Sequence, residues 1–198
     1  MALRDGPVTQ AARHDPAGHP GPLARAIAAR RAFRLPGYTT LAEAGFDGDY
    51  VTPIEQSSGN PTGPLLMSKD WFDAPSATAH RATLRIKGYL PHIPFNRVLD
   101  KALALVGLSR ADIFVCPVFC LLPPQRSHPI PNRDLRASFD AVTRHVLLGR
   151  RPVAAGTDAA RTLGHFGIDH VETCHPSARG LTFDARAQKI ATALKQVM

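Results

Sequence analysis

Cysteine is scarce: Cys116, Cys120 and Cys174 are the three in a chain of 198 residues. So few thiols, odd in number and without a C-x-x-C clip, exclude a disulfide framework, and their places in or beside apolar runs predict burial as small hydrophobes. Neither zinc, an iron–sulfur cluster nor any other cofactor is expected. Long apolar runs are also missing, as is the hydrophobic core of a secretory signal, so the expectation is a soluble protein of the cytoplasm with no membrane partner. Carboxylates are in short supply, with 16 Asp+Glu against 24 Lys+Arg and a net charge of +8. That balance favours a polyanionic partner, with nucleic acid ahead of an acidic membrane surface, although a merely basic surface has the same composition. Internal repeats are absent, and no Gly-x-Ser-x-Gly elbow marks a hydrolase nucleophile.

A hydrophobic content of 44% suffices for one core, and the length suits one domain. Residues 1–20, rich in Gly, Pro and His without periodicity, read as an N-terminal arm, leaving 21–198 as a single domain. Gly21 to Phe33 is helix-like, with Leu23, Ile27 and Ala28 on one face and arginines on the other as a solvated or phosphate-facing side. Pro64 to Ser68 reads as a buried strand. The stretch from Ala74 to Pro94 is irregular. Helical spacing returns from Phe95 to Val106 and stops at Gly107. Asp112 to Phe119 reads as a second strand, ended by the proline-rich loop Leu121 to Pro129. Asn132 is placed to cap a helix to Leu148, Arg151 to Gly156 to form a third strand, and Thr157 to cap a helix through Leu163. A last strand, Asp169 to Thr173, precedes a helix from Phe183 to Val197 capped by Thr182. This alternation predicts a three-layer α/β/α sandwich around a mainly parallel four-stranded sheet.

Two corners carry the chemistry-bearing residues. In Thr173-Cys174-His175-Pro176-Ser177-Ala178-Arg179-Gly180, the proline holds His175 extended, so an imidazole stands at a strand end, where ligands of α/β sheets bind. Ser68-Lys69-Asp70-Trp71-Phe72 follows the first strand and places a carboxylate at the same edge. Asp70 either takes part in a site with His175, or caps a helix near Ala74, or faces solvent. Trp71 and Phe72 suit either a flat heterocycle or core packing.

With these residues the chain resembles the uracil-DNA glycosylase superfamily from about Glu55 to Val197, nearest to its thermophilic-type branch but without that branch's iron–sulfur cysteines. His175-Pro176-Ser177 matches the family's second motif intact, and Lys69-Asp70-Trp71-Phe72 stands where the first motif reads Gly-Gln-Asp-Pro-Tyr or Gly-Glu-x-Pro-Gly. A Gly-Leu-Ser-Arg turn at Gly107 to Arg110, the Pro-Pro loop and the Ala155-Gly156-Thr157-Asp158-Ala159-Ala160 turn fall in the family's order. The resemblance implies a monomeric, monofunctional repair enzyme of base excision that extrudes uracil from DNA and hydrolyses its N-glycosidic bond. It implies Asp70 and His175 as catalytic residues, Lys69, Phe72 and Phe95 in the uracil pocket, and Ser177 and Arg179 on the DNA. Where the family reads uracil with an asparagine, Cys116-Pro117 stands here, and Asn96 or backbone atoms near Phe72 or Val118 are the substitutes.

Two other classes fit the residues. A nucleic-acid-binding module of the same fold with a degenerate site would keep the basic residues and dispense with Asp70 and His175. Hydrolysis by a Cys174 or Ser177 nucleophile activated by His175 is the other. Neighbours on a strand point to opposite faces, which argues against the Cys174–His175 pair.

Overall fold

The computed structural model describes residues 21–198; the arm expected over residues 1–20 lies outside them. The element order is α1 (Pro22–Ala32), β1 (Leu65–Ser68), α2 (Ala74–Ala79), α3 (Arg81–Lys87), α4 (Pro94–Ala104), β2 (Phe114–Pro117), α5 (Asn132–Ala141), β3 (Val153–Ala155), α6 (Thr157–His165), β4 (Val171–Thr173) and α7 (Phe183–Lys195). The four strands form one sheet in the order β2-β1-β3-β4, every pair parallel. Among the described residues no helix is long and apolar enough to cross a membrane.

The layers follow from side-chain alternation. Leu65 and Met67 of β1 face one core with Phe114, Cys116 and Ala154, covered by Leu135 and Phe139 of α5 and Ala159 and Leu163 of α6. Leu66, between them, faces the other core with Val115, Val153 and Val171, under α4 and α7. Successive side chains on a strand point to opposite faces, so a short strand that is apolar throughout is covered on both sides. A third cluster joins Leu41, Ala44 and Phe46 to Ala77, Leu84 and Leu90. It builds a cap beside the end of β1.

Several local expectations are corrected. The span from Ala74 to Pro94 is largely helical: Asp73 caps α2 by accepting the Ser76 N–H at 2.9 Å, and α3 ends at Gly88, φ 73°. Asn132 is the first residue of α5 rather than its cap, and that helix stops at Ala141. A 3-10 turn over Thr143–Val146 follows, with the Thr143 hydroxyl donating to the Val118 carbonyl at 3.3 Å. Gly156, not Thr157, precedes α6 as its cap. In α1, Arg30 does not face solvent; it is 2% exposed and donates to Asp47 at 2.7 Å and to the Gly48 and Tyr50 carbonyls.

Candidate functional site

In the strand order, the chain runs from β1 outward to β2, then returns to the other side of β1 for β3 and β4. The switch point therefore lies between β1 and β3, and the crevice beyond the carboxyl ends of such strands is where ligands settle in open parallel sheets. Three corners meet there: Lys69-Asp70 after β1, Gly156 after β3 and His175 after β4. With adjacent strands about 4.8 Å apart, the first and third corners are separated by roughly 10 Å of backbone, which leaves room for a ring between them.

His175 is half-buried, and its ring lies 5.4 Å from that of Phe95, tilted by 56°. The backbone N–H of Ser177 donates to His175 Nδ1 at 3.1 Å. An Nδ1 that accepts a hydrogen bond carries no proton, so the neutral ring is the Nε2–H tautomer and offers a donor. Burial holds the imidazole below its ordinary value; Asp70 pulls it upward, Lys69 pushes it down, and Asp158 pulls it upward again. The corner itself is a turn closed by the Ala178 N–H donating to the His175 carbonyl at 2.8 Å, and Arg186 Nη1 pins it by donating to the Pro176 carbonyl at 2.9 Å.

Gly156 makes this approach fit. Its φ of 99° belongs to glycine, and a Cβ there would lie 3.1 Å from the Cβ of His175. Its N–H donates to the Thr173 carbonyl at 2.9 Å, which fastens the second corner to the third. Neither Gly156 nor Asp158 was among the site residues expected from sequence. The readable signal was a glycine directly between a strand and a helix.

Across the crevice, Lys69 Nζ sits 3.2 Å from Asp70 Oδ2 and donates to the His128 carbonyl at 3.3 Å, tying the proline-rich loop to the first corner. Asp70 does not cap α2, since Asp73 does. Trp71 turns into the cap, donating Nε1–H to the Gly88 carbonyl at 2.9 Å and packing edge-to-face on Phe46 and Phe72. Phe72 is half-buried on the same cluster. Core packing thus accounts for Trp71 and for one side of Phe72.

Asn96 is not brought into the crevice. It is 2% exposed, its Nδ2 donates to the Leu90 carbonyl at 2.9 Å and its Oδ1 accepts from Arg110 Nη2 at 2.9 Å, so its amide has no edge to offer a ligand. The Val118 backbone is engaged as well, its N–H by Ser68 at 2.8 Å and its carbonyl by Thr143. Ser177 and Arg179 are exposed in the turn that follows His175.

Cys116 and Cys120 are buried and Cys174 half-buried, all three unpaired. Burial pushes the Cys120 thiol up to about 11 and holds the Cys116 thiol well above its ordinary value, so both are inert packing groups. Cys174 packs toward the core under α7, its sulfur 3.9 Å from the Arg186 carbonyl, away from the imidazole before which it stands in sequence. Among the described residues no three His, Cys, Asp or Glu side chains gather to hold a metal ion. Compared with protein-family models and with curated proteins, the chain matches none.

Proposed function

We propose that the chain is a DNA repair glycosylase that extrudes uracil from DNA and hydrolyses its N-glycosidic bond, leaving an abasic site. The observation that carries the reading is the placement of His175, whose Nδ1 accepts from the Ser177 N–H and leaves Nε2 as the donor, beside the Phe95 ring and across the crevice from Asp70. A base stacked in duplex DNA is out of reach of any such pocket, so extrusion must come first, at a few kcal/mol for lost pairing and stacking. Cleavage leaves negative charge on the departing ring and positive character on the sugar. His175 donates to the ring oxygen as charge develops there, and Asp70 stabilises the sugar cation and orients the attacking water. A neutral donor suits this step, because its hydrogen bond strengthens only as the ring becomes anionic.

Phe95 is the stacking floor for the base, and Phe72, held edge-on by Trp71, is the wall beside ring position 5 that excludes the thymine methyl. Lys69, 3.2 Å from the Asp70 carboxylate, holds it in place. Ser177 and Arg179 contact the DNA from the turn after His175, with Arg179 filling the space the base leaves. The enzyme works as a monomer in the cytoplasm, with its thiols reduced. One observation favours a second reading, a nucleic-acid-binding module with a degenerate site: the Asn96 amide is wholly engaged inside the protein, so no side-chain amide at that position reads the uracil edge. Labelled oligonucleotides carrying one uracil, thymine or hypoxanthine, treated with alkali after incubation, separate the two. Cleavage at uracil and not at thymine is the expected result; a gel shift with no base released from any oligonucleotide would establish the binding module instead.

A further inference from the structure

Many of the cations among the described residues are paired, Lys69 and Lys101 among them. Arg30, Arg31, Arg110, Arg133, Arg144, Arg151 and Arg161 each hold a carboxylate within ion-pair distance. Between Asp73 and Asp100 there is no carboxylate at all, and the cations of that span, Arg81, Arg85, Lys87 and Arg97, are exposed. Among the described residues none of those four belongs to an ion pair. Exposed like charges repel one another, so a face left uncompensated for a whole helical pair stores an attraction for polyanions.

This face is firmly seated and adjoins the crevice. Ala77 and Leu84 anchor it, both fully buried in the cap. At its start, Asp73 caps α2 and Trp71, next to Asp70, bonds to the Gly88 carbonyl; at its end, Asn96, next to Phe95, bonds to the Leu90 carbonyl. At Gly88 a Cβ would collide with the Pro53 carbonyl, which fixes where α3 stops. Arg81 and Arg85 are one turn apart and share a side of α3, about 5–6 Å between their Cβ atoms. Ile86, between Arg85 and Lys87, is 78% exposed, an unusual place for a large apolar side chain. On the adjoining loop, Asp47 lines a pocket with Arg85 but is already held by Arg30 and Arg31.

We propose that the α2–α3 face is a second nucleic-acid contact, distinct from the turn after His175, that grips the phosphodiester backbone flanking the extruded nucleotide. Arg81, Arg85 and Lys87 neutralise phosphates there, and Ile86 lies against the sugars between them. The assignment rests on DNA being the substrate. Its contact is independent of base identity, and it holds the duplex against the cap while that turn opens the helix.

The test is the salt dependence of binding to an undamaged duplex several turns long, followed by fluorescence anisotropy. The variant Arg81→Gln/Arg85→Gln/Lys87→Gln is set against Arg144→Gln/Arg151→Gln/Arg161→Gln, which removes the same charge from carboxylate-paired positions. Three lost phosphate contacts reduce the slope of log K against log salt by about 2.7, and the paired-cation variant leaves it close to wild type. Single-turnover uracil release by the wild type and by the paired-cation variant is the separate check on the glycosylase reading, and it is the same in both. If the two variants reduce the slope equally, or neither does, while uracil is still released, the α2–α3 assignment is wrong and the glycosylase reading survives. If the wild type neither binds duplex nor releases uracil, both fall together.

Discussion

At the residue scale the account depends on the state of one imidazole. A proton added to His175 would enter at Nδ1, against the Ser177 N–H, and undo the turn that holds the ring. Since burial sets the folded value below the ordinary 6.5, the native state binds this proton less readily than the unfolded chain. The contribution to stability is therefore present above pH 6.5 and lost as pH falls through the folded value. Base release in single-turnover pH profiles should stay level down through pH 6.5 and decline only below it. Lys69→Gln removes a cation that pushes the imidazole down, so its acid limb should move to higher pH; a limb moving the other way would refute the electrostatic assignment. Gly156→Ala tests the close approach. The left-handed backbone costs a non-glycine residue about 1–3 kcal/mol, and the added methyl displaces His175. We expect release slowed at least tenfold in a protein that still unfolds cooperatively; an unchanged rate would separate Gly156 from the site. The strand-end places of His175 and Asp70 were legible in the sequence, because a proline follows the histidine and the order of apolar runs marks both ends. Asn96 was misread, since an amide gives no sign in sequence of being consumed by a carbonyl six residues before it and a guanidinium fourteen after.

At the scale of elements, α4 carries Phe95 and is held at its entry by Arg110. The guanidinium lies 3.8 Å above the Tyr89 ring, donates Nε–H to Asp100 at 2.7 Å and Nη2–H to Asn96 Oδ1 at 2.9 Å. Arg110→Met keeps the stem but strands the Asn96 amide, a loss of about 1–3 kcal/mol expected in urea denaturation. Arg110→Lys should not restore it, because the planar fork and the stacking are both lost; full recovery by lysine would show that charge alone matters. Helices with a Gly or Thr boundary, such as α4 before Gly107 and α7 after Thr182, were readable from those residues. The break of α5 at Ala141 was not, because it depends on Thr143 reaching the Val118 carbonyl, a contact of long sequence separation. The α2–α3 pair was hidden for a related reason: each helix has only one buried anchor, too few to set a period.

For the whole molecule, alternating strands and helices foretold the sandwich, but not that the strands would order β2-β1-β3-β4. That order is what turns two corners about a hundred residues apart into opposite walls of one crevice, with the switch point between them. Net charge likewise pointed to a polyanion without saying where it would bind, since pairing decides which cations remain free and pairing is three-dimensional. The measurement that reaches the central claim most directly is single-turnover release of free uracil from a uracil-containing duplex by wild type, Asp70→Asn and His175→Ala, with folding checked by circular dichroism. Loss of one preorganised donor is worth about 10²–10³ in rate, so the account predicts uracil release by the wild type and a fall of that order in His175→Ala, with Asp70→Asn slowed at least tenfold. Release at wild-type rate by both folded variants, or no release by wild type, would contradict it.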